Sequence, residues 1–92
     1  MTKSVIQDEK VCFICGTTYN LELHHIYRGA YRKASDRYGL VVWLCNPHHT
    51  GNQGVHNGNV IVDKYLKQLG QRKFEENHSR EEFIRHFGHS YL

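Results

Sequence analysis

"WLCNPHHTGNQGVH", residues 43–56, decides how this chain folds, because it gathers Cys45, His48, His49 and His56 around a single Asn-Pro step. The apolar run before it, Leu40 to Leu44, is β-branched and of strand length. Pro47 suits the first position of a helix, so the spacing predicts a helix start near residue 47, and Gly51, Gly54 and Gly58 keep that helix short. Upstream, "LELHHIYRG", residues 21–29, holds a second adjacent pair, His24-His25. Leu21, Leu23 and His25 alternate there with Glu22, His24 and Ile26, which predicts a strand over 21–26. Together the two stretches carry five of the eight histidines.

A chain of 92 residues is one domain whose core is close to the minimum for independent folding, so a staple is expected. Three cysteines cannot all pair within one chain, and "MTKSVIQDEK" offers no apolar export segment. Both features point to a reducing cytoplasm, where clustered cysteines hold metal more often than they form disulfides. No apolar run approaches the ~20 residues of a membrane span.

Cys12-x2-Cys15 and Cys45-x2-His48 are two ligand pairs of knuckle spacing, far enough apart for the chain to fold back between them. This is the arrangement of a closed Cys3His zinc site, which leaves no coordination position for chemistry and is therefore structural. Adjacent side chains point to opposite faces of a strand and diverge by about 100° on a helix, so neither histidine pair can chelate one ion together. The members of each pair must have different tasks.

The formal charge of +3 is unevenly spread. "YRGAYRKASDRY", residues 27–38, sets Arg28, Arg32, Lys33 and Arg37 against Asp36 alone, interleaved with three tyrosines. Such a segment suits a phosphate backbone, although a solvated helix face has the same composition. A short helix over 30–38 ended by Gly39 is expected. Beyond residue 59, a helix over 60–77 is expected to pack through Ile61, Tyr65 and Leu69, with Gly70 as its weak point. Ser79 and Glu82 form a capping box for a last helix carrying Phe83 and Phe87 and ending at Gly88. Trp43 reads as core, residues 1–10 as a loose lead-in, and "FGHSYL" as a tail able to meet a protein partner.

The order Cys-x2-Cys, "LHHI", an apolar strand ending "LC", then x2, a ligand and "H" resembles the HNH endonucleases of the ββα-metal type. The resemblance covers residues 12 to about 59, and "LHHIYRGAYRKASDRYGLVVWLCNPHHTGNQGVHN" is similar to small HNH-like proteins of phages and prophages. It implies an α+β fold: a ββα-metal core over about 11–59 stapled by the Cys12, Cys15, Cys45 and His48 zinc, with a helical extension over 60–92. It further implies that His25 is the general base and that His24 and His49, with His56, hold a catalytic divalent metal. Imidazole ligands favour Mn²⁺, Ni²⁺, Co²⁺ or Zn²⁺ over Mg²⁺. The reaction implied is hydrolysis of DNA to 5′-phosphate and 3′-hydroxyl ends, with Arg28, Arg32, Lys33 and Arg37 on the phosphates.

Two positions depart from the family pattern. Tyr38, Gly39 and Leu40 occupy the region of its middle Asn, which pins the loop that orients the base, and Gln53 stands where many members have a last metal ligand. Both departures favour the alternative of a weak or inactive HNH-fold module that binds DNA or protein, such as a phage-encoded inhibitor of host defence. A zinc-bound structural or redox protein explains the cysteines but gives His25 and His49 no task.

Overall fold

A computed structural model of the chain describes residues 3–52 and 54–92, so Gln53 lies outside the described residues. The elements are β1 (Leu21–His25), a 3-10 turn (Gly29–Tyr31), α1 (Arg32–Arg37), β2 (Val41–Cys45), α2 (Asn46–His49), α3 (Val60–Phe74) and α4 (Arg80–Phe87). This is a small α+β fold in which β1 and β2 form a two-stranded antiparallel sheet. Among the described residues, no helix is long and apolar enough to cross a membrane.

In the sheet, Glu22 pairs with Leu44, His24 with Val42 and His25 with Val41. Side chains alternate across the pleat, so His24, Val42 and Leu44 share one face, and all three are fully buried. A two-stranded hairpin is marginal alone. Leu66 and Phe74 of α3 and Phe83 and Phe87 of α4 join Ile26, Tyr27, Leu40, Val42 and Leu44 in one core. The ends of α4 form as expected, with Ser79 and Glu82 making the reciprocal capping box and Gly88 ending it at φ 93°, and α3 is capped by Asn59, whose side chain accepts from Val62 N.

The face by which α3 packs differs from the expected one. Ile61 and Tyr65 are 80% and 54% exposed, while Leu66, Gly70, Gln71 and Phe74 are buried. The apolar stripe misled because the buried row is built around a glycine and a glutamine. A Cβ on Gly70 would stand 2.9 Å from the Tyr27 hydroxyl oxygen and 3.4 Å from the Ile26 Cδ1. Gly70 is thus the contact point that admits Tyr27, whose hydroxyl donates to the Lys67 carbonyl. Tyr27 accordingly leaves the basic surface where its sequence neighbours placed it and packs against Phe83 and Phe87.

Gln71 is buried with its amide satisfied. It donates to Ser90 Oγ at 3.0 Å and to Glu75 at 2.7 Å, and it accepts from Tyr91 N at 2.7 Å. The C-terminal tail is therefore folded back on α3 rather than free. Trp43 is only half-buried and carries the Lys10 ammonium 4.5 Å from its ring centroid, because its side of β2 meets the N-terminal segment instead of the helices. That segment is tied down too: Val5 N donates to Gly39 O, and Ser4 Oγ to Val41 O. Ser35, fully buried in α1, accepts from Tyr27 N and donates to Tyr27 O, which clamps α1 to the end of β1.

Candidate metal centres and the adjoining cleft

The turn at Cys12–Cys15 closes through a Gly16 N to Cys12 O hydrogen bond, and Phe13 N donates to Trp43 O, which brings the turn against the end of β2. Cys12, Cys15, Cys45 and His48 converge there, close enough to hold a metal ion. Cys15 Sγ stands 3.8 Å from Cys45 Sγ, and His48 Nδ1 lies 3.1 Å from Cys45 Sγ and 3.7 Å from Cys12 Sγ. Thiolates bound at about 2.3 Å occupy tetrahedron corners about 3.8 Å apart, so this donor set fits one tetrahedral ion.

Ionisation within the cluster is uneven. Burial alone would raise the Cys12 thiol, but backbone N–H groups of Cys45, Cys15 and Ile14 and the His48 side chain outweigh it and bring it down to about 6. Burial pushes the Cys45 thiol up to about 11, helped by its Cys12 and Cys15 neighbours. The protein by itself favours the thiolate at Cys12, and at Cys45 a bound cation would be needed to ionise the thiol.

His24, His49 and His56 form a second group, with one ligand atom from each lying within 4.8 Å of the others. The ring centroids are 5.2, 5.2 and 4.6 Å apart. His24 is fully buried, and neither of its ring nitrogens has a hydrogen-bond partner. Burial, reinforced by the charges of His49, Arg28 and His56, holds it down to about 3, so it is a neutral imidazole at neutral pH. This is the form that ligates metals. Burial and the Arg28 charge lower His56 as well.

The four residues of α2 divide these groups between them, since consecutive helical side chains diverge by about 100°. His48 turns to the cysteines and His49 to His24. His56 is seven positions beyond His49, too far along one helix to share an ion with it. The loop after α2 doubles back, with Val55 N donating to His48 O and His56 N to His49 O. Gly54 makes this return possible, because a Cβ there would lie 2.3 Å from the His49 carbonyl oxygen.

A cleft of about 300 Å³ adjoins the three histidines, lined by Leu23, His25, Arg28, Gly29, Arg32, His49 and His56. A second cleft, lined by His25, Arg32, Lys33, Asp36 and Arg37, shares His25 and Arg32 with the first. All four expected basic residues thus line one or other of these two clefts beside His25. Arg28 is held by Asp63 at 2.9 Å, and Arg37 lies over the Tyr38 ring.

Three carboxylates, Glu22, Asp36 and Asp63, belong to this region. Glu22 accepts from His49 Nδ1 at 2.7 Å, a bond that holds the Glu22 carboxyl below its usual range and leaves Nε2 of His49 for a ligand. Such an outer carboxylate orients a metal-binding imidazole and raises its basicity. Asp36 lies 3.1 Å from His25 Nε2, and Asp63 fixes Arg28. The only advance sign of Glu22 was its place two residues before His24 in the alternating strand. His78 and His86 stand apart from both groups, packed on Phe74 and Tyr38. The chain matches no protein-family model, no curated protein and no solved structure.

Proposed function

We propose that this protein is a metal-dependent endonuclease of the HNH type, with β1, β2 and α2 as its ββα-metal core. The observation that carries this reading is His24. A buried imidazole with two unpartnered nitrogens costs about 1–3 kcal/mol, and a cation shared with His49 and His56 offsets that cost. The neighbouring His25 borders a cleft flanked by arginines, where a phosphodiester would sit.

A divalent metal at His24, His49 and His56 would offset the charge that develops on the leaving 3′-oxygen and a non-bridging oxygen. His25 takes the proton of the attacking water, a task suited to a neutral imidazole. Arg28, Arg32, Lys33 and Arg37 hold DNA phosphates on either side. Ser35 anchors the connection between the strands, the task that the HNH pattern gives to its middle Asn. Zinc is the proposed ion at Cys12, Cys15, Cys45 and His48, because three thiolates and an imidazole at tetrahedral spacing suit it best. The resemblance to small HNH-like proteins supports a phage or prophage origin, and the clustered, unpaired cysteines support a cytoplasmic site of action. The exposed Val60, Ile61 and Tyr65 of α3 and Ile84 of α4 leave apolar surface on the C-terminal helices open to a protein partner.

The test is plasmid cleavage by the purified chain. Nicked or linear DNA should appear with Mn²⁺ or Ni²⁺, stop with a chelator, and form roughly 10²–10⁴-fold more slowly with His25→Ala, the usual share of a positioned base. Absence of cleavage with every divalent metal, in folded protein that binds DNA, would replace this reading with the binding module.

A further inference from the structure

His25 stands between two clefts, and its partner in the second is a carboxylate from a different element. Asp36 Oδ1 lies 3.1 Å from His25 Nε2. An ionised carboxylate only accepts hydrogen bonds, so Nε2 is the nitrogen that carries the proton, and in a neutral imidazole Nδ1 then keeps its lone pair. The contact joins a half-exposed carboxylate, 50% exposed, to a largely covered imidazole. The His25 side chain is 12% exposed, and the residue before Asp36, the buried Ser35, clamps α1 to the backbone of Tyr27, two residues beyond His25. Asp36 is also the one acidic residue among the arginines and lysine of that cleft.

Resting on the nuclease reading above, we propose that Asp36 is a positioning residue for His25, holding Nε2–H so that Nδ1 is the atom that accepts the proton of the attacking water. In that step a water proton moves to Nδ1 and the water oxygen forms a new bond to phosphorus. The bond from phosphorus to the 3′-oxygen breaks, and the departing oxygen takes a proton from solvent. His25 becomes an imidazolium whose Nε2–H still points at the Asp36 carboxylate. That carboxylate both fixes the ring rotation before the step and balances the charge after it. The neighbouring Arg32, Lys33 and Arg37 give Asp36 a competing task, damping the positive charge seen by DNA, and the two tasks differ in what their loss does.

The experiment uses the full chain with its metals, labelled with ¹⁵N in histidine, as wild type, Asp36→Ala and Asp36→Glu. Alanine is a good helix former at an exposed position of α1, so the variant should fold. In the wild type the His25 Nε2 proton should be visible and protected from solvent exchange. It should vanish in Asp36→Ala and persist in Asp36→Glu. For plasmid cleavage, Asp36→Ala should lower kcat roughly 10–100-fold, the range for outer partners of site histidines, with metal content and KM unchanged, and Asp36→Glu should restore most of it. A His25 proton found on Nδ1, or an Asp36→Ala variant with full kcat and merely tighter DNA binding, overturns the positioning role while leaving the nuclease reading intact. A wild type inert with every metal, by contrast, overturns the nuclease reading itself and with it the proton transfer.

Discussion

His56 N donates to the His49 carbonyl at 3.0 Å, and with the adjoining Val55 N to His48 O bond this makes two histidines seven residues apart into neighbours with ring centroids 4.6 Å apart. It lets a helix of only four residues serve a three-imidazole group, because the third imidazole comes from the loop that follows.

The two histidines of α2 should separate in mutation. His48→Ala removes a donor from the Cys3His group and should lower Tm as Cys12→Ser should, with loss of about one bound zinc per chain, because an ion held by ligands that only the folded chain brings together would be coupled to folding. His49→Ala should keep that zinc and the fold while weakening a second, more readily exchanged metal and abolishing cleavage. Metal analysis with thermal melts distinguishes them, and the assignment is reversed if His49→Ala unfolds the protein and His48→Ala does not.

Gly70→Ala should destabilise the chain even though alanine favours helix. The added methyl meets the Tyr27 hydroxyl at 2.9 Å, and overpacking of this kind costs about 1–3 kcal/mol, against a propensity gain of about 0.5–1 kcal/mol. In a Tyr27→Phe background, which lacks the hydroxyl, the same substitution should cost less. Urea denaturation of the four chains gives the coupling, and equal costs in both backgrounds would show that Tyr27 is not what Gly70 admits.

Neutralising Arg32 and Lys33 should weaken DNA binding for all sequences alike. Each lost phosphate contact should flatten the slope of log affinity against log salt by roughly 0.9. Affinity titrations at several salt concentrations measure it, and an unchanged slope returns the segment to a solvated helix face.

Acid stability should depend on Asp63. Burial alone would raise its carboxyl, but hydrogen bonds from Arg28 and Lys67 outweigh burial and hold it below its usual value of 3.8. A carboxyl depressed in the folded state contributes stability that is fully present above 3.8 and lost as the pH falls below that towards its folded value. The Tm difference between wild type and Asp63→Asn should therefore be constant from neutral pH down to about 4–5 and shrink below it. A difference that does not change with pH would show that the ion pair is not its source.

The Cys3His group was legible because its ligands fall in two short spacings that survive any tertiary arrangement. The strand pair, the α3 helix and the caps of α4 were legible from local chemistry as well, each to within a few residues. What escaped depends on register and on close approach. Glu22 reaches His49 only because β1 and β2 pair with Glu22 opposite Leu44, beside the start of α2. Asp36 reaches His25 because a buried serine fixes α1, and no spacing rule announces a serine clamp. Gly70 looked like a defect in α3 because helix propensity counts only the helix, whereas its value lies in the Tyr27 ring on the other side of the contact.

The shortness of α2 has a thermodynamic consequence. Its four residues present His48 to one donor group and His49 to the other, and His56 hangs from its last carbonyl groups, so its rotation about its own axis is shared by both groups. An ion that fixes this rotation through His48 presents His49 in its ligating orientation, and the second ion then binds without the entropy loss of ordering the helix. By linkage the favour is mutual: whatever factor the first ion adds to the affinity of the second, the second returns to the first. Removing an ion from the cysteine group should therefore loosen one at the imidazoles, and saturating the imidazole group should slow loss of the ion held by the cysteines.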